Sequence, residues 1–98
     1  MQDNYYVYFI TNKYHTVIYT GFTDDIYERT VQHAEKVNRG FSKKYNCYKL
    51  VYYEEFDNAE DALHREFQLK RYRRKWKEDL IKRMNPDWRN LIEDFKTD

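Results

Sequence analysis

Tyr5-Tyr6-Val7-Tyr8-Phe9-Ile10-Thr11 and Thr16-Val17-Ile18-Tyr19-Thr20-Gly21-Phe22 decide the fold of this chain. Both runs are rich in β-branched and aromatic residues, the types that suit a pleated, half-buried surface. Between them stands a polar break, Asn12-Lys13-Tyr14-His15, so the pair predicts a β-hairpin. Paired strands lie about 4.8 Å apart, and tyrosines distant in sequence can therefore bring their hydroxyls together. The first run is apolar on both faces, which places it in the centre of a sheet.

Working outward, Asp24 can cap a helix from about Asp25 to Asn38. Ile26, Tyr27, Thr30, Val31, Ala34 and Val37 share one face of it at about 100° per residue. Arg39-Gly40 ends that helix, and a lysine-bearing loop through Lys43 and Lys44 leads to a third strand, roughly Lys49 to Phe56. Asp57 or Asn58 caps a second helix, from Glu60 to about Arg73. A third, about Lys75 to Met84, stops before Asn85-Pro86 because the residue preceding proline disfavours helical geometry. Trp88 to Phe95 is expected to fold back as a last short helix. This order predicts an α+β fold, a small antiparallel three-stranded sheet flanked by helices.

The 98 residues are expected to form a single domain around one modest core. Eleven Tyr, six Phe and two Trp supply much of the 41% hydrophobic content, so the core also offers hydroxyls to a site. No segment approaches the roughly 20 apolar residues of a membrane span. The lone Cys47 excludes an internal disulfide and fits a reducing compartment. The start of the chain passes directly into a strand, so no signal peptide and a cytoplasmic location are expected.

A net charge of +1 hides an asymmetry: Arg65 to Arg83 carries nine basic residues against three acidic ones. Such a field attracts polyanions, while a solvated helix face is the plainer explanation. Lys70, Arg71, Arg73, Arg74, Lys75 and Lys77, with Lys43 and Lys44, are the candidate nucleic-acid contacts. Phe67, Tyr72 and Trp76 are interleaved among them without deciding the matter, because aromatic residues on helices more often face the core.

Glu66 is the sharpest anomaly. On the second helix Ala59, Ala62, Leu63, Phe67 and Leu69 define the expected inward arc, and Glu66 falls near its middle. A carboxylate there must be paired, hydrogen-bonded or bound to a cation. It is either one half of a structural pair with an Arg or Tyr, or a hard oxygen ligand for Mg²⁺. Arg29 and His33 stand at i and i+4 on the first helix and so share a face. As functional groups they could hold a phosphate and relay a proton; otherwise they are polar rim positions. A tyrosine is a poor base at neutral pH, with a reference pKa of about 10, and needs a neighbour to lose its proton.

Taken in order, Tyr6-Val7-Tyr8, Tyr19-Thr20-Gly21, Arg29, His33 and the Glu66 segment resemble the GIY-YIG nuclease superfamily. The likeness is to its small stand-alone members and, in outline, to the nuclease domain of the repair excinucleases. It runs from Tyr5 to about Leu91. The resemblance implies phosphodiester cleavage in DNA with one Mg²⁺ or Mn²⁺ ion. It implies Tyr8 as base or base relay with His33, Tyr19 as orienting group, Arg29 as stabiliser of the phosphate and Glu66 as metal ligand. Four departures stand out: Tyr6 replaces the first glycine, Thr20 replaces isoleucine, Phe22 stands in place of a lysine, and neither Asn85 nor Asn90 matches the late asparagine cleanly. They bear on rate rather than on fold.

The leading expectation is a structure-selective, repair-related DNA endonuclease that gains specificity from a homodimer or a protein partner. The alternatives are a nucleic-acid-binding module without catalysis and a protein-interaction domain.

Overall fold

The computed structural model describes residues 4–38 and 46–95. The hairpin forms as expected: β1 (Tyr5–Thr11) pairs antiparallel with β2 (Ile18–Thr23). Its loop is organised by Asn12, whose Oδ1 accepts from the Thr16 and Val17 amides at 2.9 and 3.1 Å. Next come α1 (Ile26–Asn38), β3 (Lys49–Phe56), α2 (Ala59–Lys70), α3 (Arg74–Met84) and a closing 3₁₀ turn, Leu91–Phe95. The strand order is β2-β1-β3, so the doubly apolar first strand is indeed central.

Each face of β1 has its own core. Val7 and Phe9 pack with Val51, Ala62, Leu69 and Ile81 beneath α2 and α3. Tyr8 and Ile10 pack with Ile26, Leu50, Cys47 and Leu91 beneath α1 and the closing turn. Leu69 is fully buried, a contribution of about 2–3 kcal/mol, and it fixes the rotation of α2 about its axis.

One irregularity in β3 explains two asparagines. Phe9 opposes Tyr52 while Ile10 opposes Leu50, so Val51 is an extra residue, a β-bulge. The bulge puts Val51 and Tyr52 on the same core although they are consecutive. Buried Asn85 donates from Nδ2 to the Val51 carbonyl at 3.1 Å, and Asn90 Oδ1 accepts from the Leu50 amide at 3.2 Å. Both asparagines thus satisfy backbone groups around the bulge.

Several boundaries shift. Asp25, rather than Asp24, caps α1 by accepting from the Glu28 amide at 3.1 Å, and Asn58 caps α2 by accepting from the Asp61 amide at 2.8 Å. Trp88 lies outside the last turn with φ of 55° and stacks on His15 at 4.6 Å. Among the described residues no helix is long and apolar enough to cross a membrane.

Candidate active site

Tyr8 and Gly21 are cross-strand partners. The Tyr8 ring lies across the glycine so closely that a Cβ there would meet Cζ and the hydroxyl at 2.4 Å. The absence of a side chain at Gly21 therefore lets the ring cross toward β2, an edge strand. There the Tyr8 hydroxyl lies 3.2 Å from His33 Nε2 on α1. Tyr19, on the same face of β2, places its exposed ring 5.8 Å from the His33 ring, so the imidazole neighbours both tyrosines.

Arg29 is solvent-exposed one helical turn before His33. Burial holds the Tyr8 phenol above its ordinary value near 10, and the Tyr19 hydroxyl raises it further. The Arg29 charge opposes that shift and the Glu66 charge adds to it. All five candidate catalytic residues are thus electrostatically or sterically coupled around one phenol.

Glu66 arrives on α2, which packs against β1 and β2. Its side chain is 17% exposed, and its Oε2 meets Lys70 Nζ at 3.2 Å, one turn along the helix. The carboxylate does face inward, but the arc differs from the expected one. Leu63 and Phe67 point outward, and the inward stripe is Ala62, Arg65, Glu66 and Leu69. Arg65 occupies the core side because Glu54 on β3 receives it from two nitrogens, at 2.9 and 3.0 Å. That carboxylate also accepts from the Tyr52 hydroxyl, and Arg65 reaches the Tyr72 hydroxyl at 3.4 Å. The Glu54 bond holds the guanidinium firmly protonated. This network locks α2 to β3 and so sets the direction in which the next residue, Glu66, points.

The candidate nucleic-acid contacts divide in two. Arg74 is drawn into the scaffold, donating to the Thr16 carbonyl at 2.8 Å and to the His15 carbonyl, and pairing with Glu78. Lys77 runs inward to Thr20 Oγ1 at 3.2 Å, and burial lowers its pKa. Lys70, Arg71, Arg73 and Lys75 remain exposed. Lys43 and Lys44 lie outside the described residues.

The departures from the motif are absorbed by packing. Tyr6 meets Phe95 and Tyr53 edge-on at 5.7 and 6.3 Å, and Phe22 stacks on Tyr5 at 6.1 Å. Sequence reasoning missed the roles of Gly21, Lys70 and the Arg65–Glu54 pair. The first depends on cross-strand register, and the others on how α2 is rotated.

The sequence profile of the GIY-YIG catalytic domain matches residues 4–79. The chain belongs to the GIY-YIG family. Its relatives include a UPF0213 protein of Staphylococcus saprophyticus, 34% identical over 79 residues, 81% of this chain and 95% of that protein. Another is a UPF0213 protein of Haloquadratum walsbyi, 32% identical over 80 residues, 82% of this chain and 89% of that one. The fold matches the solution NMR structure of a UPF0213 protein from Bacillus halodurans with a TM-score of 0.55 and 27% identity. That match covers 96% of this chain and 99% of the other. The α+β architecture is therefore that of a small GIY-YIG domain protein.

Among the candidate catalytic residues, the carboxylate that could hold a metal ion is that of Glu66. Among the described residues no group of three or more His, Cys, Asp or Glu side chains gathers to enclose an ion. A single hard oxygen donor at a half-open position suits Mg²⁺ or Mn²⁺, which retain water and take substrate phosphate oxygens. It does not suit a closed structural zinc site.

Proposed function

We propose that the protein is a metal-dependent endonuclease hydrolysing DNA phosphodiester bonds. The observation that carries this reading is the Tyr8 hydroxyl resting on Gly21, 3.2 Å from His33 Nε2, within the fields of Arg29 and Glu66. Each group has a part that phosphoryl chemistry requires.

Because its pKa is raised, Tyr8 keeps its proton at neutral pH and does not act as a phenolate. It works as a relay: the phenol passes its proton to His33 Nε2 while taking one from the attacking water. His33 is then the final acceptor, a role that suits imidazole, whose reference pKa lies near 6.5. Tyr19 borders the same imidazole and orients the water or the phosphate. Arg29, exposed at the mouth of the site, neutralises charge developing on the phosphate oxygens. Glu66 would hold one Mg²⁺ or Mn²⁺ ion, which when bound supplies Lewis acidity toward the phosphate.

DNA as the substrate, structure selectivity and a repair role extend the likeness to excinuclease-type domains. Selectivity beyond strand geometry would come from a second copy or a protein partner. One observation favours a competing reading, a nucleic-acid-binding module without catalysis: the Lys70 ammonium already neutralises Glu66. A panel of labelled duplex, flap, fork and single-stranded DNAs, incubated with Mg²⁺, Mn²⁺ or chelator, separates the two. The nuclease reading expects cutting that needs the ion. Binding across the panel with no product in any condition supports the module.

A further inference from the structure

Between α2 and α3 runs a groove of about 570 Å³ whose walls include Phe67, Arg71, Tyr72 and Trp76. Phe67 is 60% exposed and Trp76 is 49% exposed. Single apolar side chains on a surface need no explanation, but these rings are not single. Tyr72 meets Trp76 edge-on at 5.4 Å. Arg71 lies 5.5 Å from the Phe67 ring centre, Arg65 lies 5.7 Å from that of Tyr72, and Arg73 lies 5.6 Å from that of Trp76. Each of these three rings thus has a guanidinium group beside it.

We propose that this groove is a stacking platform for unpaired bases, so that the preferred ligand is a nucleic acid with a single-stranded segment. The proposal deepens the nuclease reading by naming a substrate class, and it rests on that reading only for the cleavage step after binding. Three features carry it. Exposed rings accept the faces of bases, and only unpaired bases have faces to offer. Arg71 and Arg73 have no ion pair among the described residues, so both can meet phosphates. Asp79, the acid bordering the adjoining cleft, is itself held by Lys75 at 3.8 Å. Exposed aromatic rings alone would equally suit a protein partner; the unpaired guanidinium groups of Arg71 beside Phe67 and Arg73 beside Trp76 select a polyanion.

The test is binding, measured without divalent metal so that no cleavage intervenes. Fluorescence anisotropy compares a labelled oligothymidylate with a blunt duplex of the same length, using wild type, Phe67→Ala, Trp76→Ala, Trp76→Phe and Arg71→Ala. Each alanine substitution of a ring is expected to weaken single-strand binding by about 5- to 100-fold, with little change for the duplex. Trp76→Phe keeps a ring and should retain most of the affinity, which separates stacking from loss of fold. Arg71→Ala should weaken both ligands and flatten the salt dependence. Quenching of tryptophan emission by the oligonucleotide in a Trp88→Phe background would report contact at Trp76 itself. The proposal is overturned if wild type fails to bind oligothymidylate at low salt, if the ring variants bind it like wild type, or if duplex binding falls equally. Absence of cleavage by wild type would sink the nuclease reading while leaving this binding result intact.

Discussion

The Tyr8 ring occupies the space that a side chain on Gly21 would fill, with Cζ 2.4 Å from the position of a Cβ there. Tyr8 is almost fully buried and is held between two sheet partners and α1, so it has little freedom to yield. A Gly21→Ala substitution would lift the hydroxyl away from His33. Overpacking of this kind costs about 1–3 kcal/mol. The expected outcome is a lower melting temperature together with a loss of cleavage larger than the stability change explains. Parallel melting and cleavage assays check it, and an alanine variant with wild-type cleavage would contradict the arrangement.

Tyr8→Phe removes the relay while leaving the ring. Loss of a positioned proton-transfer group lowers cleavage by about a hundredfold or more, while the fold loses about 1 kcal/mol at most. The same substitution bears on alkaline stability. The folded protein raises the pKa of Tyr8 by burial, and that of Tyr52 by burial and by its bond to Glu54. Phenols raised in this way stabilise the fold fully below the unfolded value of about 10. That contribution is lost as pH climbs above it, because only the unfolded chain ionises freely. Urea denaturation at stepped pH should therefore show stability falling above about pH 10, with a shallower fall in Tyr8→Phe and in Tyr52→Phe.

Asn85 is the keystone of the β3 bulge. Its Nδ2 donates to the Val51 and Arg89 carbonyls at 3.1 and 2.8 Å, and its Oδ1 accepts from the Arg89 amide at 3.1 Å. Asn85→Ala would leave the Val51 carbonyl buried without that donor, a loss of about 1–3 kcal/mol. Asn85→Asp should be worse, since a carboxylate would face two carbonyl oxygens. Chemical denaturation measures both, and hydrogen exchange at the Leu50 and Val51 amides should quicken before the rest of the sheet.

Lys70 and Glu66 form an ion pair where the metal ligand is proposed. An ammonium there competes with a divalent ion for the same oxygen. Lys70→Gln should therefore tighten Mn²⁺ binding by about two- to fivefold, as fits a half-exposed pair. Paramagnetic relaxation of water by bound Mn²⁺ reads this without activity. An unchanged affinity would mean that the lysine and the ion do not share the carboxylate.

How much of this was legible in the sequence varies with how local each cause is. The hairpin, the central place of β1 and the limits of β3 follow from residue type and alternation, which act within a strand. Glu66 could be read as facing inward, but through the wrong neighbours. Leu63 and Phe67 look like core residues by hydropathy, yet Arg65 takes the core side once Glu54 and Tyr72 meet it. The clearance above Gly21 and the roles of Asn85 and Asn90 depend on cross-strand register and a bulge, and no single segment encodes either. Phe67, expected on the inward arc, is instead exposed, as is Trp76, whose place the sequence left undecided.

The most direct test of the central claim is cleavage of a labelled flap DNA by wild type and Glu66→Gln across a Mg²⁺ titration, with binding measured in the same samples. The account predicts metal-dependent cutting by wild type, and a variant that binds DNA and melts like wild type but yields no product at any ion concentration. Equal cutting by the variant, or cutting that survives chelation, would contradict it.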